Sequence, residues 1–135
     1  MVISLFDCLH LTLYYSKGGV KLEYIFNQKI IKKKNFDDRW VKFAFGSQGF
    51  LNTENLNLGI VNFKKNSTAL NHCHDVEEAL YVLSGNAEVK IADKILSINK
   101  NDFIYIPART DHQVITKEKS IKILFIFGGH ITITH

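Results

Sequence analysis

The residues best suited to chemistry lie together in Asn71-His72-Cys73-His74-Asp75-Val76-Glu77-Glu78. In an extended chain, residues two apart point to one face, so His72 and His74 present both imidazoles to one side while Cys73 faces the other. Such a pair chelates a metal ion. If the chain turns through Asp75-Val76-Glu77, Glu78 opens the next strand with its carboxylate beside the rings, and two imidazoles with one carboxylate leave coordination positions for exogenous ligands. A fourth candidate is His112, which follows Pro107-Ala108-Arg109-Thr110-Asp111 and opens a later strand.

The neighbours of these four have simpler readings. Glu77 has the opposite parity to Glu78 and reads as an exposed charge, or as the replacement ligand if the turn is one residue tighter. Cys73 is expected as a small buried filler on the outer face. Arg109 stands just before His112, either over the mouth of the site as a tentative substrate-binding residue holding a carboxylate, or on the surface paired with Asp111. Leu80 and Val82 share a face with Glu78, and Val114 shares one with His112, so the surroundings are expected to be apolar. No general acid or base stands out, and the catalytic residues stay unassigned. His10, His130 and His135 fall outside the pattern, and Trp40 reads as core or interface.

The elements that must position these groups are strands. From Trp40 onward, short runs rich in Phe, Ile, Val and Tyr alternate with clusters of Gly, Asn, Asp and Lys. Strands are expected at 41–45, 58–63, 78–83, 87–91, 95–98, 103–106, 113–116 and 121–127, with low helical periodicity throughout. Eight strands at this spacing suggest a sandwich or barrel. Residues 1–38 form an N-terminal extension in which 22–26 and 28–31 can add edge strands, and residues 39–135 form the barrel. The runs 103–106 and 121–127 are nearly continuous in apolar residues, which implies burial on both faces. A small barrel buries only its inner face, so the outer one needs the N-terminal segment or a second subunit, and a homodimer is the favoured reading.

Composition bounds the rest. With 135 residues, 46% hydrophobic and 22% charged, the chain has the profile of one globular domain and not of a disordered or collagen-like protein. The formal charge of +4 admits an anionic ligand without requiring nucleic acid. Arg39 and Arg109 are the only arginines among 17 basic residues, whereas readers of phosphate favour the arginine fork. The lysine run between Lys29 and Lys34 is followed by Asp37 and Asp38 and reads as a solvated surface stretch. The two cysteines, Cys8 and Cys73, make no disulfide framework. The apolar start of the chain lacks a basic leader and is interrupted by Asp7 and His10, so neither a signal peptide nor a membrane span is expected, and the cytoplasm is the default location.

The spacing of the candidate ligands resembles that of the cupin superfamily. Its first motif, G(x)5HxH(x)3-4E(x)6G, aligns with Asn66 to Gly85, and its second, G(x)5PxG(x)2H, aligns with Asn101 to His112 through Pro107. The fifteen residues between the motifs are similar to the short spacing of small single-domain cupins. Asn66 and Asn101 stand at glycine positions, where asparagine enters the left-handed region more readily than other side chains. Arg109 also stands at a glycine position and is the least expected departure. The resemblance implies an all-β fold, a double-stranded β-helix of the jelly-roll type, with one divalent transition metal ion held by His72, His74, Glu78 and His112. Iron, manganese, nickel, cobalt, copper and zinc all suit three nitrogens and one oxygen. The implied function is that of a metal-dependent enzyme of dioxygenase, lyase or isomerase type acting on a small anionic, oxygen-bearing molecule; the alternative is a non-catalytic module that binds or senses such a molecule through the ion.

Overall fold

The computed structural model describes residues 25–129 and the backbone of residues 15–16 and 19–20; Cys8, His10, residues 22–24, His130 and His135 lie outside the described residues. The strands, in chain order, are β1 (Tyr15–Ser16), β2 (Gly19–Val20), β3 (Lys34–Asn35), β4 (Arg39–Phe45), β5 (Asn57–Phe63), β6 (Glu78–Ile91), β7 (Lys94–Asn99), β8 (Phe103–Ile106), β9 (His112–Ile115) and β10 (Ile121–Phe127). β1 and β2 pair only with each other among the described residues. The others form the two layers of a jelly roll through antiparallel pairs.

The larger layer runs β3-β4-β5-β10-β6-β8, with only the first half of β6 taking part. The second half of β6 lies between β7 and β9 and builds the smaller layer. On the far edge of β9, isolated bridges at Thr68–Ile115 and His72–His112 attach the segment that carries the first two histidines. Alternation fixes which side chains meet between the layers. Val82, Val89, Ile106, Ile121 and Ile123 are the largest fully buried side chains, and each sits at an inward position of its strand.

The expected strands 78–83 and 87–91 are a single strand, because Ser84-Gly85-Asn86 bends the chain without reversing it. Gly85 has φ +84°, and a Cβ there would lie 2.1 Å from the Ser120 carbonyl oxygen. The register against β10 shifts at the same place, between Lys122 and Ile123. β6 thereby passes from one layer to the other and carries Glu78 at one end and Ile91, the neighbour of His112, at the other.

The expectation of an edge strand at 28–31 is also corrected. Gln28–Ile30 form a single 3-10 turn capped by Asn27, whose side chain accepts the Lys29 N–H at 2.9 Å. An asparagine cap favours turning over extension. The turn's Gln28 carbonyl accepts from Nζ of Lys42 at 2.6 Å, which accounts for a lysine buried on the outer face of β4. The lysine run around it is exposed, and Nζ of Lys33 stands 4.9 Å from the centroid of half-buried Trp40.

Among the described residues, nothing buries the outer face of β8. Ile104 and Ile106 point inward, but Phe103 is 82% and Tyr105 59% exposed. They belong to an apolar outer surface that crosses the larger layer in two rows, Leu58–Ile126–Ala79–Tyr105 and Ile60–Leu124–Tyr81–Phe103. Residues 25–31 cover only the Lys42–Ala44 side of it, where Ile25, Phe26 and Ile31 line a groove with Ile60 and Leu124. The outward residues of β10 are accordingly half-buried.

Candidate metal centre

Two inward-facing rows meet at one end of the barrel. In the larger layer the row is Asn57–Phe127–Glu78–Ile106, with Glu78 at the start of β6 between β10 and β8. In the smaller layer it includes Ile91, His112 and His72. His72 and His112 exchange both backbone hydrogen bonds, at 3.1 and 2.8 Å, which locks the two ligand-bearing segments side by side. His74 enters from the loop between the layers, its carbonyl accepting the Arg109 N–H at 2.6 Å.

The three imidazoles converge. Their candidate ligand atoms all lie within 4.8 Å of one another, and the ring centroids are 4.3 Å apart for His72–His112, 4.8 Å for His72–His74 and 5.3 Å for His74–His112. Nδ1 of His72 lies 2.9 Å from the Leu70 carbonyl, and Nδ1 of His112 lies 2.9 Å from the Thr110 carbonyl. A carbonyl only accepts, so in the neutral rings both Nδ1 atoms carry the proton and both Nε2 lone pairs are free for an ion.

Glu78 approaches two of these rings from the opposite wall. Its Oε2 is 3.0 Å from Nε2 of His112 and 3.7 Å from Nε2 of His74, with side chains 8% exposed for Glu78 and 5% for His112. Oε2 is the one buried side-chain oxygen or nitrogen among the described residues without a hydrogen-bond partner. A carboxylate oxygen facing imidazole lone pairs in a buried position calls for a cation. Donors about 2.1 Å from a common ion and at right angles around it are about 3.0 Å apart, so the Glu78–His112 spacing suits such an ion. The residues present fit the metal that the sequence pattern implies.

The electrostatics of the side chains alone point the same way. His74 is held below the ordinary imidazole range, first by burial and then by its neighbours His72 and His112, with Glu78 opposing. Burial is also the largest influence on His112, but the contact with Glu78, the Thr110 carbonyl and the Asp111 charge together outweigh it and shift this ring upward. The same carboxylate that favours a proton on His112 would favour a divalent ion in its place.

The cupin domain profile matches residues 59–127, the span that includes all four of these side chains. The chain belongs to the cupin family. Among solved structures, this cupin is similar to the DMSP lyase DddQ from Ruegeria pomeroyi DSS-3, with TM-score 0.71 and 16% identity over 78% of this chain and 60% of the other. It is similar to an oxalate decarboxylase variant from Bacillus subtilis, with TM-score 0.68 and 20% identity over 77% of this chain and 29% of that one. It is also similar to an RmlC-like cupin from Shewanella frigidimarina NCIMB 400, with TM-score 0.68 and 16% identity over 80% of this chain and 92% of that one. The lyase and the decarboxylase are longer: the match spans 60% and 29% of their lengths. No curated protein matches in sequence. At these identities the likeness establishes the cupin fold.

The neighbouring residues differ more from expectation. Leu80, Val82 and Val114 are buried and make the interior apolar. Glu77 is exposed and accepts from the Tyr105 hydroxyl at 2.6 Å. Cys73 is exposed and not a buried filler, because its segment is the edge of the smaller layer and no described element packs outside it. Arg109 pairs with Asp75, Nε to Oδ1 at 3.3 Å, and not with Asp111; its side chain is 80% exposed. Sequence reading missed Phe127, whose ring stands edge-on to His74 at 4.9 Å, and Asn57, whose side-chain amide donates to the Gly129 carbonyl. The period-two run from Ile121 through Ile123 and Phe125 was the available signal for Phe127.

The three positions where this chain departs from the glycines of the cupin pattern all take positive φ: Asn66 at 55°, Asn101 at 76° and Arg109 at 58°. The loop shape survives with side chains in place. Arg109 has no local hydrogen bond of the kind that lets asparagine tolerate this region, so Arg109→Gly is expected to stabilise the fold by about 1 kcal/mol. Equilibrium urea unfolding reads this; a loss of stability would show that the Asp75 contact outweighs the backbone strain.

Proposed function

We propose that this cupin is a metal-dependent enzyme that acts on a small anionic molecule through oxygen donors. His72, His74, Glu78 and His112 hold one divalent transition ion in this reading. The observation that carries it is the convergence of three imidazoles, with the unpartnered, buried Glu78 Oε2 beside two of them, those of His74 and His112. The ion would supply Lewis-acid or redox chemistry, with coordination positions left for the guest. The residues of the chain fix the donors: backbone carbonyls set the tautomers of His72 and His112, and the buried side chains of Leu80, Val82 and Val114 line the barrel interior. Dioxygenase, lyase and isomerase activities all fit this arrangement, and one similar solved structure is that of an oxalate decarboxylase with Mn(II) centres.

One observation favours a second reading, a binding or sensing module. The inward residues described around the ligands offer no additional carboxylate or imidazole to act as general acid or base. The experiment that separates the two is to identify the resident ion by elemental analysis and then to assay each metal form, the ferrous form with O2 included, against a panel of small acids. Turnover in any form supports the enzyme. Saturable binding with no turnover in every form supports the module.

A homodimer joined through the outer surface of the larger layer belongs to the same proposal, since Phe103 and Tyr105 extend a contiguous apolar face that the described residues leave open. Phe103→Glu is expected to convert dimer to monomer in sedimentation velocity; a wild-type chain that is monomeric at high concentration would remove this part. No helix of the described residues is long and apolar enough to cross a membrane. The exposed free thiol of Cys73 supports a reducing, cytoplasmic setting.

A further inference from the structure

The ligand row of the smaller layer extends beyond His112. Ile91 of β6 is the cross-strand partner of His112 on one side and of Lys94 on the other, so Lys94, Ile91, His112 and His72 occupy a single row. Directly opposed residues of an antiparallel sheet point to the same face, so Lys94 belongs to the face that carries the ligands. Farther along β7 the same parity gives Leu96, 48% exposed, and Ile98, 4% exposed. This inner face therefore passes from closed core to open mouth, and Lys94 stands at its open end, two strands or about 10 Å from His112 across the sheet.

Several other basic side chains among the described residues are placed elsewhere. Arg109 is on the rim with Asp75, Lys117 pairs with Glu88, and Lys42 and Lys122 are on the outer face of the larger layer. Arg39 points inward, but its row contains Phe63, Ile121 and Gly85, at the opposite end of the barrel from Glu78. Lys94 has a flexible four-carbon stem and a compact ammonium head, suited to reach over an apolar residue toward an anionic group.

We infer that Lys94 is a substrate-recognition residue and that the ligand class is a short dicarboxylic acid, one carboxylate on the ion, the hydrocarbon over Ile91 and the second carboxylate on the Lys94 ammonium. The inference rests on the metal reading above. It gives Lys94 the role that sequence spacing had offered to Arg109, and it follows from strand register, which brings residues 94 and 112 into one row.

The test is equilibrium binding to the cobalt(II)-loaded protein, followed by the visible spectrum of the ion, with propionate, malonate, succinate and glutarate as probes. Metal content is measured on every sample. Wild type is expected to bind at least one dicarboxylate about tenfold more tightly than propionate, and Lys94→Ala to abolish that preference while leaving propionate affinity and metal content within about twofold; tenfold is the effect of one modest charge-assisted contact. Lys94→Arg is expected to retain most of the preference. The same preference in Lys94→Ala, or none in wild type, overturns the inference while leaving the metal centre standing. Wild type that takes up no ion overturns both.

Discussion

His112→Ala is expected to leave the chain with less than about a tenth of the wild-type metal after dialysis, since even outer-shell changes lower metal affinity 10–100-fold and this change removes a donor. Elemental analysis measures it, with Glu88→Gln, on the far side of the smaller layer, as the variant that keeps its metal. Glu78→Gln makes a sharper prediction because it separates stability from binding. In the metal-free protein the carboxylate leaves a buried oxygen without a partner beside His112 and His74. A glutamine amide of the same shape can donate to the free lone pair of His112, so the metal-free variant is expected to be more stable than wild type by about 1–3 kcal/mol, the range for relieving one buried unsatisfied group.

Metal reverses that order. Wild type with a hundredfold excess of a bound ion over its dissociation constant gains about 2.7 kcal/mol, whereas Glu78→Gln gains little. Thermal unfolding of both proteins, with chelator and with metal, gives all four values. If Glu78→Gln destabilises the metal-free chain and keeps the full metal-induced rise, the carboxylate is a structural group and the proposed ligand set is wrong.

The strand pattern and the four candidate ligands were legible because both depend on local periodicity. Runs of apolar and β-branched residues mark β5, β9 and β10 within one or two residues of their ends, and the HxH pair keeps one face wherever the chain is extended. Asn66 and Asn101 were correctly read as left-handed, since the preference belongs to the asparagine itself. What was not legible depends on partners distant in sequence. Ser84-Gly85-Asn86 has the composition of a reversing turn, and only the Ser120 carbonyl packed against Gly85 makes it a bend. Phe103 and Tyr105 look like core by hydropathy, yet β8 is the last strand of its layer and its outer face meets no described element. The direction of Arg109 was decided by Asp75, 34 positions away.

The fold and the site depend on one another most directly at Gly85, and Gly85→Ala is expected to destabilise the protein by about 3 kcal/mol or more. Two effects add there. An L side chain at φ +84° is held outside its favoured regions, at about 1–2 kcal/mol. Its Cβ would also stand 2.1 Å from the Ser120 carbonyl oxygen and 3.0 Å from Cα of Ile121, both backbone atoms that no rotamer change can move aside. Relief requires β10 to separate from β6 where Ile121, a fully buried residue, pairs with Gly85. Equilibrium urea unfolding measures the loss, and Asn66→Gly, which removes strain at a positive φ without adding an atom, is expected to fall within about 1 kcal/mol of wild type. Because the bend lets one strand carry Glu78 in the larger layer and the partner of His112 in the smaller, the alanine variant is also expected to bind metal more weakly at temperatures where it remains folded. A variant as stable as wild type would show that β6 is two strands joined by a loop, and that the two walls of the metal centre are positioned independently.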